Sequence, residues 1–212
     1  MSIEFRDTSE NLSASLAKTI ASIRGHTITL RELLALIGEQ GLLFVCAMLT
    51  IPFLLPVSIP GVSTVFGAAI ILISIGITLN RIPWLPSRIM DRPIGTDKLV
   101  PTLQKGVDLV AKIDRFVRPR FPVLTDGAVV NRLNGLLLTF GGVLLAMPLG
   151  LIPFSNTLPA FAVLFISIGI LQKDGLFVAL GYGLLVATVI YFGILAFLAL
   201  AAGQGIGAVL GG

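Results

Sequence analysis

Residues 59–77 read IPGVSTVFGAAIILISIGI, and 93 positions later residues 152–170 read IPFSNTLPAFAVLFISIGI. Nine of these nineteen positions are identical, including the opening Ile-Pro pair, Thr64 with Thr157, Ala69 with Ala162, and the closing Ile-Ser-Ile-Gly-Ile. Each copy follows an apolar run that proline interrupts, at Pro52 in the first and at Pro148 in the second. Proline lacks the N–H that a helix interior uses. The repeated unit therefore reads as a helix, a proline-rich turn and a second helix.

The composition places this unit in a membrane. Of the 212 residues 55% are hydrophobic and 12% are charged, half the roughly 25% usual in soluble domains. No charge occurs in residues 42–80, 134–172 or 175–212, and each interval can cross a hydrocarbon layer of about 30 Å. The first thirty residues are polar and mixed in charge, which is not the pattern of a cleaved signal peptide. Cys46 is the only cysteine, so an intramolecular disulfide and a thiolate metal cluster are both excluded. Fourteen of the fifteen Lys and Arg residues lie before residue 42 or between 81 and 132. That placement reads as a topology signal rather than as a nucleic-acid surface. By the positive-inside rule it predicts that the N-terminal segment and the central linker both face the cytoplasm.

The chain then divides into six parts. Residues 1–41 hold two amphipathic stretches, one with Leu12, Leu16, Ile20 and Ile23 on a single face and ended by Gly25. The other opens on Thr29 and Glu32 at capping-box spacing. Residues 42–79 form the first membrane hairpin and 133–171 the second. Between them residues 80–132 form a basic linker with its own amphipathic helix, expected to begin at Pro101 and to end at Pro119. That helix either lies on lipid headgroups or docks on the hairpins. Residues 175–202 are a terminal transmembrane helix, and 203–212 are a glycine-rich tail, read as a frayed end or as a homodimer contact. The expected fold is thus all-α and polytopic, with two tandem helix-turn-helix repeats and one terminal span.

The limbs of both hairpins are short. Limbs of 14 to 18 residues reach roughly 21 to 27 Å as helices, which suggests re-entrant hairpins, with short tilted spans as the alternative. Gly67, Gly76, Gly135, Gly142 and Gly169 are expected at close helix contacts.

Four segments together are distinctive: residues 56–64, PVSIPGVST; residues 83–86, PWLP; residues 152–160, IPFSNTLPA; and residues 173–175, KDG. They resemble the ExoD family over about residues 30–200. The resemblance implies an inner-membrane protein of exopolysaccharide synthesis and carries no catalytic residues with it.

The apolar intervals contain no Asp, Glu, His, Lys or Arg, and the carboxylates at their rims, Asp174 among them, form no paired motif. His26 stands alone. The expectation is a non-enzyme without metal or cofactor. A transport reading rests on the polar residues at the helix starts after each turn, Ser63 and Thr64 in the first copy and Ser155, Asn156 and Thr157 in the second. Helix N-termini held at membrane depth are a known arrangement for anionic groups, so an anion or a sugar phosphate is the candidate ligand. The competing reading is that these side chains only cap their helices. The functional alternative is a scaffold that gathers envelope polysaccharide enzymes on the basic cytoplasmic face, with membrane lipid as a further partner and no role for nucleic acid.

Overall fold

The computed structural model describes residues 17–18, 20–23, 25–54, 61–79, 91–113, 119–147, 149 and 152–210. Most of the amphipathic stretch before Gly25, the proline turn at 55–60 and the Pro-Trp-Leu-Pro segment lie outside the described residues. Among the described residues six helices carry the fold: α1 (Leu30–Thr50), α2 (Val62–Thr78), α3 (Thr96–Ile113), α4 (Ala128–Ala146), α5 (Thr157–Leu171) and α6 (Gly175–Leu210). Single 3-10 turns follow α1 at Ile51–Phe53 and precede α4 at Pro122–Leu124.

The all-α expectation needs one correction. Strand β1 (Thr27–Thr29) pairs antiparallel with β2 (Pro93–Gly95), and the Thr96 amide continues the ladder to the His26 carbonyl at 3.1 Å. Three residues on each side are too few to show a strand period in sequence, and the partners are far apart along the chain. This ribbon leads straight into the predicted capping box. The Thr29 amide and hydroxyl each donate to Glu32 at 2.9 Å, while the Glu32 amide donates back to the Thr29 hydroxyl at 3.2 Å. Those bonds, the backbone one foremost, hold the Glu32 carboxyl below its ordinary pKa. Gly38, at φ 58°, ψ −159°, breaks α1 where the sequence places the membrane boundary, and the apolar arm begins beyond it.

The four hairpin helices form one antiparallel bundle, in which α1 packs on α2 and α5, and α4 packs on α2 and α5. The seam between α2 and α4 runs through small residues. Gly67 lies against Gly142 and Ala146, Gly142 against Ile70 and Ile71, and Gly135 against Thr78. Ser74 and Thr139 share a hydrogen bond of 2.8 Å midway along it. On the opposite side of the bundle Ala47 packs with Leu164 and Ile168, and Phe44 with Leu171. Gly67, Gly135, Gly142 and Gly169 thus occupy the close contacts expected of them.

Helix α3 starts at Thr96, so Pro101 falls inside it instead of opening it, and the end expected at Pro119 lies beyond the described part of the helix. Leu99 and Leu103 join the main core and Val107 packs with Phe44, so this helix docks on the bundle. Helix α6 lies antiparallel to α5: Gly169 meets Val178, and Gly181 meets Ala162 and Ile166. Tyr182 donates its hydroxyl to the Oδ1 of fully buried Asn134, whose Nδ2 donates to the Leu124 carbonyl at 3.0 Å. The helix continues to Leu210, so the start of the glycine tail is helical rather than frayed. Among the described residues α4 and α6 are long and apolar enough to cross a membrane, whereas the apolar arms of α1, α2 and α5 are shorter.

Two measurements check this packing. A Cβ on Gly67 would sit 2.7 Å from the Ala146 backbone nitrogen, so Gly67→Ala should cost about 1–3 kcal/mol and lower the melting temperature in detergent. Gly193, which has open space around it, should accept alanine with no loss. Tyr182→Phe strands the Asn134 oxygen and should destabilise the protein by about 1–3 kcal/mol, whereas Tyr191→Phe, at an exposed bond, should cost less.

Candidate functional site

The candidate residues all lie at the turn end of the bundle. Because α2 and α5 both run antiparallel to α4, the turn before α2 and the turn before α5 occupy the same end. The two hairpins therefore point the same way.

None of the candidate side chains caps a helix. The N-cap of α2 is Gly61, in the left-handed region at φ 82°, and the N-cap of α5 is Asn156; neither makes a side-chain cap bond. Thr64 instead donates to the Ala146 carbonyl at 3.3 Å and ties one hairpin to the other. Ser155 donates to the carbonyls of Leu149 and Ile152, both at 2.8 Å, and fixes the second turn from within. Ser63 and Thr157 are buried. The capping role foreseen for this group does not occur, since α2 takes a glycine at its start and α5 starts on a residue with helical backbone angles.

Asn156 stands out from the rest. It is 5% exposed, and both its Oδ1 and its Nδ2 are buried without a hydrogen-bond partner. Buried polar groups are nearly always paired, and leaving an amide unpaired costs about 1–3 kcal/mol. The same condition holds for the Ser167 hydroxyl, which is fully buried. Residues 156 and 167 are eleven apart, three helical turns, and so share one face of α5 roughly 16 Å apart. Between them on that face lie Ala160 and Val163, both at 0% exposure.

The repeat explains the pattern. Ninety-three positions earlier the same face of α2 carries Ser63, Gly67, Ile70 and Ser74, all buried. Each helix therefore shows a polar residue, two apolar or small ones and a second polar residue at one register. The copies differ in bonding: Ser74 is paired with Thr139 and the Ile71 carbonyl, and Ser167 is not. No signal in the sequence separates these two serines, because the difference lies in what the opposing helix offers.

Asp174 has a structural use. It is fully buried, its Oδ1 accepts the Leu176 amide at 2.9 Å, and its carbonyl accepts the Val178 amide, so it starts α6. Gly175 next to it donates to the Arg120 carbonyl at 2.6 Å, and a Cβ there would strike the Phe121 carbonyl. The Lys173-Asp174-Gly175 motif is thereby accounted for as a helix start locked to the segment before α4. No group of three or more metal-ligating side chains occurs among the described residues.

Similarity to known proteins now gives this fold a family. Residues 12–194 match the family described as "Exopolysaccharide synthesis, ExoD". Protein ExoD of Rhizobium meliloti (strain 1021) is 66% identical over 206 residues, 97% of this chain and 86% of that protein. An uncharacterised protein of Synechocystis sp. is 31% identical over 175 residues, covering 79% of this chain and 81% of its own. No solved structure matches the chain. With the match running through both hairpins and into α6, the chain belongs to the ExoD family of exopolysaccharide-synthesis proteins.

Proposed function

We propose that this protein is a transporter-like component of exopolysaccharide synthesis in the bacterial inner membrane, taking an anion or a sugar phosphate at the start of α5. The observation that carries this reading is Asn156, a buried amide with both polar atoms unpaired at the start of a helix face that ends on a second unpaired group, Ser167. Unpaired groups aligned on one face are costly to a structural core and useful to a path for a polar ligand.

The depth of the turns supports the same reading. Tyr191 of α6 donates to the Pro153 carbonyl at 2.6 Å, which fixes the level of the second turn against the longest helix. Beyond that level α6 continues as an uncharged helix through Ala202, roughly 16 Å further. Ile194, Phe197, Leu198 and Leu200 of this extension are exposed and suit a hydrocarbon surround. With α6 crossing the membrane fully, the hairpin turns stop short of the far face and are re-entrant. Non-helical backbone at that depth is tolerated where protein or a watery cavity surrounds it. Two repeats with the same direction correspond to transporter halves related by an axis along the membrane normal. In this arrangement the N-terminus and the basic linker face the cytoplasm, in keeping with the charge pattern.

Single cysteines test the depth. In a Cys46→Ala background, cysteines at Ile51 and Phe154 should react slowly with small thiol reagents and resist bulky impermeant ones from either side, while one at Gly205 labels freely from outside. Rapid bulky labelling at Ile51 and Phe154 would mean complete spans. For function, Asn156→Ala and Ser167→Ala should each lower flux of a sugar phosphate in reconstituted vesicles by at least tenfold. Neither removes a formed bond, so the melting temperature should not fall, and unchanged flux at unchanged stability would remove the transport reading.

A further inference from the structure

We infer that the group received at Asn156 is an uncharged hydroxyl, the sugar part of a ligand, rather than a bare anion. This rests on the site proposed above and narrows what enters it. The amide of Asn156 carries two donors on Nδ2 and an acceptor on Oδ1, and all of them are unpaired. A hydroxyl can accept from Nδ2 and donate to Oδ1. Sulfate, or a fully ionised phosphate, can only accept, and it leaves the buried oxygen stranded.

The helix start itself is poorly furnished for an anion. Such sites use the free amides of the first helical turn. Here the Leu158 amide, the second of the helix, is taken by the Phe154 carbonyl at 3.1 Å. Pro159 has no N–H to give. Full positive charge is also missing from the surrounding helices, since residues 42–80 and 134–172 contain no Lys or Arg. A helix end contributes only about half a charge, so a bare anion here would have no full positive charge on those helices to offset its desolvation. An uncharged hydroxylated group meets none of these obstacles. A sugar phosphate would then enter with its sugar at Asn156 and its phosphate turned away.

Selective isotope labelling makes this measurable, because the chain has five asparagines. Protein with 15N-asparagine in lipid nanodiscs gives five side-chain amide pairs. That of Asn156 is identified by its loss in Asn156→Ala or Asn156→Ser, whichever leaves the other four in place. The probes are methyl glucoside, methyl galactoside and glycerol as uncharged hydroxylated ligands, and sulfate as the anion without a donor. The expected result is a saturable shift of the Asn156 pair with at least one uncharged probe, at a concentration at least tenfold below any shift with sulfate. Shifts with sulfate at equal or lower concentration would overturn the hydroxyl assignment and leave the site standing. No shift with any probe would overturn both.

Discussion

Helices brought closer together than ordinary side chains allow are what the rest of this structure depends on. In a membrane, apolar side chains gain little by leaving lipid for protein, so association relies on packing and on short polar contacts. The α2–α4 seam supplies both, with Gly67, Gly135 and Gly142 at the approaches and the Ser74–Thr139 bond in the middle. It also joins the second helix of one repeat to the first helix of the next. Since α1 and α5 close the opposite side, each hairpin is held by the other rather than by its own turn. The site residues owe their burial to this cross-bracing.

Much of the fold was legible because its signals are local. Two uncharged intervals, a repeat and paired prolines mark the hairpins, and α2 and α5 begin within one residue of where their polar starts place them. The capping box was readable from Thr29 and Glu32 for the same reason. Long-range pairings were not. The β1–β2 ribbon joins segments too short to display a period, and Asn134 and Tyr182 are 48 positions apart in a bond no spacing rule anticipates. Pro101 misled because a proline early in a helix is compatible with more than one starting point.

At the candidate site the sequence marked a group of polar residues and left their roles open. Polar side chains beside a turn read equally as caps or as ligands, and the choice depends on backbone angles and on what stands opposite. Gly61 removes the need for a cap on α2, and Ser155 spends its hydroxyl on the turn, which leaves Asn156 unpaired. The same residue type can thus be structural in one copy and idle in the next.

That inequality between the copies bears on how a duplicated unit comes to act. In the first hairpin Ser74 is bonded and Gly67 is locked against Ala146, so that half is a fixed wall. In the second, the matching positions hold Asn156, Ala160 and Ser167, a face with less to lose by shifting or by exchanging partners. The two copies thus put equivalent positions to unequal use: the first face has its serine bonded across the α2–α4 seam, and the second keeps an amide and a hydroxyl without partners in a closed interior.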